Sequence, residues 1–304
     1  MTCRWSGLLG SVRLRSGGRG LRGHIEEAVV QEGRTPRRTR AEPPSLEVEL
    51  QRAVERQEFT LEYQPIVELK SGAVVGAEAL VRWRHPVRGT ISPGEFLPLA
   101  EQTGQISAIG AFVLERAARQ ARSWQLASPA GANFVLSVNL SARQAADPST
   151  LDLVRSSLET GDLSGESVVL EISAGDGVVE DRTIATLNTL RKLGVRIALD
   201  DFGAGMSFRE ARRLPLDIVK LDRAFVVDVA ARPADASFAE ALLTVGRARG
   251  LQTVAKGVET TDQARRLLAL GCDMGQGYLY SKPLGAEGIG AVLARGRLGT
   301  MARR

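Results

Sequence analysis

The chain has 304 residues, 43% of them hydrophobic and 25% charged, with a net charge of +5. This length holds a full α/β core, and no uninterrupted apolar run is long enough to cross a membrane. Cys3 and Cys272 are the only cysteines and belong to no Cys/His cluster, which excludes a disulfide framework and a structural zinc site and predicts a reducing, cytoplasmic setting.

The positive charge sits at one end. Residues 1–44 contain nine Arg and four Glu, so residues 45–304 sum to zero. That segment is rich in Arg, Gly, Ser and Pro without apolar periodicity, and it reads as a disordered basic tail with no sign of specific nucleic-acid recognition. Its Leu8-Leu9 patch is too short for a secretory signal.

Order is predicted from Ser45, an N-cap followed by Glu47 and Glu49 and by a stripe of Leu46, Leu50 and Val54. This entry helix covers residues 45–57. Thr60–Leu69 and Ala73–Trp83 read as strands joined at Lys70-Ser-Gly72, an antiparallel hairpin. Ser92-Pro-Gly-Glu95 is a capping box that launches a helix, and a longer one runs from Ile106 to Gln125. Strands at Phe134–Leu140, Ser167–Ile172, Val195–Asp201, Asp217–Asp222 and Leu251–Lys256 then alternate with helices near Ser149, Ile184, Phe238 and Ala264, ending in a short segment at Cys272–Gly277. About eight strands in this rhythm predict an α/β fold, a modified (β/α)8 barrel of the TIM type with an antiparallel first strand, over residues 58–295. Residues 296–304 form a basic C-terminal tail.

Glu78, Asn139, Glu171, Asp200, Asp201 and Lys220 interrupt or end these apolar strands, and Glu259 lies just past another. In a barrel, strand ends of one polarity converge on the face where active sites form. Singly, each has a plain structural use; Asn139 would cap a turn and Lys220 would pair with Asp222. Together, several carboxylates and an amide oxygen suit a hard divalent cation, Mg²⁺ or Mn²⁺. His85 reads as a turn residue packed on Trp83.

Glu78-Ala-Leu80, preceded by Gln64-Pro-Ile-Val67 and followed by Arg82-Trp-Arg-His-Pro86, resembles the signature of the EAL domain, the family of bacterial cyclic di-GMP phosphodiesterases. Ser137–Arg143, Glu171-Ile-Ser173, Asp200-Asp-Phe-Gly203, Lys220-Leu-Asp-Arg223, Gly257-Val-Glu-Thr260 and Gln276-Gly-Tyr278 extend the resemblance over about residues 58 to 285. It implies two-metal hydrolysis of cyclic di-GMP to pGpG in a cytoplasmic signalling protein. Glu78, Asn139, Glu171 and Asp200 would hold one metal; Asp200, Asp201 and Glu259 would serve the second. Lys220, with Asp201 and Glu259, would carry catalysis, and Gln64, Glu78, Leu80, Arg82 and Gln276 would contact the nucleotide. A homodimer or a regulatory protein partner is also implied.

The pattern is broken in two places. Lys256 stands where the family has a glutamate that serves as general base or metal-water ligand, which adds a cation beside a site for cations. After Glu171, Ala174-Gly175 replaces a Glu-Ser pair, and Ala204 and Met206 replace Thr and Tyr. Three readings stay open: a catalytically impaired cyclic di-GMP receptor, an active phosphodiesterase in which a neutral Lys256 serves as base, and an interaction module that has lost the nucleotide. Lys256 pairing with Asp201 or Glu259 would turn the metal site into a salt bridge.

Overall fold

The structure is a computed structural model that describes residues 45–296, apart from 174–179 and 204–205. Residues 1–44, residues 297–304 of the predicted C-terminal tail, Ala174-Gly175 and Ala204 therefore lie outside the described residues. Nine strands form one sheet: β1 Phe59–Glu68, β2 Val74–His85, β3 Gly89–Ile91, β4 Val135–Leu140, β5 Val168–Ser173, β6 Arg196–Phe202, β7 Ile218–Leu221, β8 Gln252–Lys256 and β9 Met274–Gln276. The order β1-β9-β8-β7-β6-β5-β4-β2-β3, with β1 also paired to β2, closes eight strands into a ring and leaves β3 outside it. The hairpin makes β1 antiparallel to both ring neighbours, while β2 and β4 to β9 run parallel.

Around the ring lie α1 Leu46–Glu55, α2 Pro93–Thr103, α3 Ile106–Ala127, α4 Ala142–Ala145, α5 Thr150–Gly161, α6 Asp181–Arg191, α7 Phe208–Ala211, α8 Pro233–Ala248, α9 Thr261–Ala269 and α10 Ala286–Arg295. The main core fills the space between helices and strands; Phe59, Trp83 and Phe96 pack against one another there, and Trp124 meets Tyr63 edge-on at 4.8 Å. Strands covered by helices outside and by side chains inside must be apolar on both faces, which is why a polar residue within one marks a special position.

The capping box of α2 forms as expected, with Ser92 and Glu95 bonding reciprocally at the helix start. Ser45 takes the N-cap position of α1 but its hydroxyl makes no cap bond. His85 closes β2 instead of lying in the turn: its ring meets Trp83 at 5.3 Å, and Nδ1 accepts from the backbone N–H groups of Val87 and Arg88. β3 and α10 have no counterpart in the sequence reading. β3 is only three residues long, and α10 is rich in glycine, which blurs its helical signal.

Candidate functional site

Parallel pairing places several polar residues at matching heights. Asn139 lies beside Glu171, Ser173 beside Asp200 and Lys256 beside Gln276, while across the hairpin Gln64 faces Glu78. The inner cluster centres on Lys220, 1% exposed. Its ammonium donates to Glu78 Oε2 at 2.8 Å and to Glu171 Oε2 at 2.6 Å. Glu78 also accepts from Asn139 Nδ2 at 2.7 Å and from Gln276 Nε2 at 2.8 Å, and Gln276 Nε2 reaches Gln64 Oε1 at 3.1 Å. Neither plain use proposed for these residues occurs. Lys220 does not pair with Asp222, which instead accepts from the Ala224 N–H, and Asn139 bonds a side chain while Ser141 caps the next helix.

Charge in this cluster is set by burial against partners. Burial alone raises a carboxyl pKa, yet Lys220 and the amide donors hold Glu78 below the ordinary range. Glu171 is pushed up to about 7, first by burial and then by the Glu78 charge beside it. Lys220 is pulled down by burial and lifted further by Glu171 and Glu78, so it stays protonated. One oxygen, Glu171 Oε1, is buried without a partner.

The outer cluster is built on a distortion. Consecutive strand residues point to opposite faces, so Asp200 and Asp201 would diverge in a regular β6. Asp201 has φ 51, in the left-handed region, and the pairing of β6 with β7 slips between Leu199 and Phe202. This break re-aims Asp201. Both carboxylates now meet the Lys256 ammonium, which lies 2.8 Å from each Asp200 oxygen and 2.7 Å from Asp201 Oδ1. Of the two pairings that the sequence left open, the one with Asp201 forms; Glu259 goes to Arg223 Nη2 at 2.6 Å. Burial lowers the Lys256 pKa, but Asp200 and Asp201 raise it more, and the net direction is upward. That direction opposes a neutral Lys256 base.

Every carboxylate expected to bind metal is thus held by a cation of the chain itself. Among the described residues, no group of three or more His, Cys, Asp or Glu side chains is arranged to take a metal ion. The two halves differ in fit. In the inner cluster Lys220 takes Glu78 Oε2 and Glu171 Oε2, and Glu171 Oε1 is an acceptor left without a partner. In the outer one, Lys256 and Arg223 occupy Asp200, Asp201 and Glu259, and a second divalent ion does not fit beside that ammonium.

Above the clusters lies a recess of about 230 Å³, lined by Gln64, Glu78, Leu80, Lys256, Glu259 and Gln276 together with Arg223 and Tyr278. Tyr278 is 59% exposed, and the Lys282 ammonium lies 5.6 Å from its ring centre. Arg82 does not line this recess; it bonds Glu62 at 2.8 Å and the Val81 carbonyl. The sequence reading gave Arg223 and Tyr278 no role, although both stand in its motifs. Gly257 explains the position of Arg223: with φ 72, its missing Cβ leaves space where a side-chain atom would stand within 2.8 Å of the Arg223 chain.

The family model described as "EAL domain" matches residues 47–283. The bifunctional diguanylate cyclase/cyclic di-GMP phosphodiesterase MucR of Pseudomonas aeruginosa is 41% identical over 248 residues, covering 81% of this chain and 36% of that protein. The cyclic di-GMP phosphodiesterase NbdA of the same organism is 40% identical over 241 residues, 79% of this chain and 30% of its own length. The chain therefore spans about a third of these curated relatives. The solved structure of the PaMucR phosphodiesterase in complex with c-di-GMP superposes with a TM-score of 0.76 at 40% identity, covering 81% of this chain and all of that one.

Proposed function

The chain belongs to the EAL domain family, and from that premise we propose that its barrel is a cytoplasmic receptor for cyclic di-GMP that holds the nucleotide without hydrolysing it. The observation that carries this reading is the Lys256 ammonium bonded to both oxygens of Asp200 and to Asp201. Phosphodiesterases of the family generally depend on divalent metal. In this chain, the carboxylates assigned to the second ion are neutralised by Lys256 and Arg223.

Four of the five residues expected to contact the nucleotide, Gln64, Glu78, Leu80 and Gln276, line one recess, which supports a recognition role. Gln64 and Gln276 stand within bonding distance of each other at the recess floor, with Leu80 and the exposed Tyr278 ring at its walls. The amides fix the register of a bound nucleotide, and the aromatic ring offers a face on which a base can stack. Lys256 offsets part of the negative charge of Asp200 and Asp201 beneath the recess, which lessens their repulsion of the phosphates. Lys220 stands on Glu78 and Glu171 in the inner cluster and Lys256 on Asp200 in the outer one, so binding of the nucleotide is expected without Mg²⁺ or Mn²⁺.

Equilibrium dialysis of the full chain against cyclic di-GMP, with and without Mn²⁺, tests this directly when the nucleotide on each side is identified by chromatography. Intact cyclic di-GMP concentrated on the protein side in both conditions is the expected result. Accumulation of pGpG would overturn the receptor reading in favour of an enzyme. An even distribution of intact nucleotide would remove the nucleotide altogether and leave a protein-interaction module.

A further inference from the structure

The hairpin that opens the barrel leaves β1 without a helix of its own. Helices follow the other ring strands and cover them, but β1 passes directly into β2, so its outer face is sheltered only from the sides, by α3 and α10. Between them lies a groove of about 290 Å³, room for on the order of ten water molecules. Its floor is apolar and aromatic. Phe59, Leu61 and Tyr63 alternate along β1 onto this face, and Phe112 of α3 meets Phe59 at 6.3 Å between ring centres.

The polar side chains of the groove are donors in want of acceptors. Tyr63 lines it and is only 3% exposed, yet its hydroxyl bonds no other group among the described residues. Burial raises the pKa of that hydroxyl and the Arg116 charge pulls it back, so the guanidinium stands within electrostatic reach of it. Arg116 is exposed and forms no ion pair among the described residues; its guanidinium lies over the Phe112 ring, 5.7 Å from the centre, and stacking of this kind leaves the N–H edge free for a planar acceptor. No carboxylate lines the groove. Glu115 pairs with Arg119 at 2.7 Å, and Glu62, on the opposite face of β1, bonds Arg82 and Arg84. The Ala286 carbonyl at the far wall is taken by Trp124 Nε1 at 3.2 Å. A buried tyrosine with an unbonded hydroxyl and an unpaired guanidinium, side by side over an aromatic floor, fit a carboxylate carried on a flat ring.

We propose that this groove binds an aromatic monocarboxylate of one or two fused rings, its carboxylate accepting from the Tyr63 hydroxyl and the Arg116 guanidinium and its ring lying on Phe59, Leu61 and Phe112. The site shares no lining residue with the nucleotide recess; Tyr63 and Gln64, neighbours on β1, face opposite sides of the barrel wall. Isothermal titration of the full chain with 2-naphthoate is the test, with 2-naphthylmethanol as the uncharged probe of similar shape. One saturable site is expected for the carboxylate, at least about tenfold weaker for the alcohol and for Arg116→Gln, and at least about threefold weaker for Tyr63→Phe, which removes only the hydroxyl. Absence of saturable binding overturns the proposal, as does equal binding of the two probes. Affinity unchanged in Arg116→Gln or in Tyr63→Phe would place the carboxylate elsewhere, with the same consequence. Thermal unfolding of both variants shows whether they fold; if Tyr63→Phe does not, Arg116→Gln, at an exposed position, decides alone.

Discussion

The two carboxylate clusters of the barrel rim use the same chemistry with opposite consequences. In the inner one a fully buried lysine locks Glu78 and Glu171 and leaves one oxygen, Glu171 Oε1, without a partner. In the outer one a half-buried lysine and an exposed arginine account for Asp200, Asp201 and Glu259. The inner lysine is therefore part of the architecture, since without it two carboxylates would be buried unpaired. The outer one, Lys256, bridges a buried carboxylate, Asp200, and a solvent-exposed one, Asp201, and removing it should free both for a cation.

Removing each lysine sharpens that contrast. Lys220→Met leaves Glu78 and Glu171 without their cation in the barrel interior, and denaturant unfolding should show a loss of about 3–5 kcal/mol. An unchanged midpoint would mean that the inner cluster is not structural. Lys256→Ala should cost less, on the order of 1–2 kcal/mol, because Asp201 keeps 40% of its side-chain surface in solvent. The more telling readout is Mn²⁺: it should raise the unfolding temperature of Lys256→Ala, whose aspartates are freed, far more than that of the parent chain. Equal shifts would erase the distinction between the clusters.

The smallest effect concerns pH. Glu171 in the folded chain holds its proton up to about pH 7, above the ordinary carboxylate value of 4.5. The folded state thus binds more protons than the unfolded one between those values, so this group stabilises in acid and its contribution is lost as pH rises toward 7. Glu171→Gln should flatten that slope of unfolding free energy, and an identical slope in both proteins would place the charge of Glu171 elsewhere.

Much of this was legible in the chain. The barrel followed from alternating apolar runs, and the hairpin from Lys70-Ser-Gly72, because strand and turn signals are local. Lys256 stood out for the same reason, as one residue out of pattern. Its partners did not, because they depend on the backbone at Asp201, and nothing in Asp-Asp-Phe-Gly states that the second aspartate turns left-handed. Arg223 was hidden likewise: its reach to Glu259 depends on the space at Gly257.

The ring also has a seam. β1 pairs with β2 along its whole length, but it meets β9 only at Val67 and Glu68. Gln64 on β1 and Gln276 on β9 bond across this sparsely laced junction, at the floor of the recess. A nucleotide gripped by both amides would act as a stitch, and its arrival would be felt first as slower amide exchange along the edge where the barrel is least sewn together.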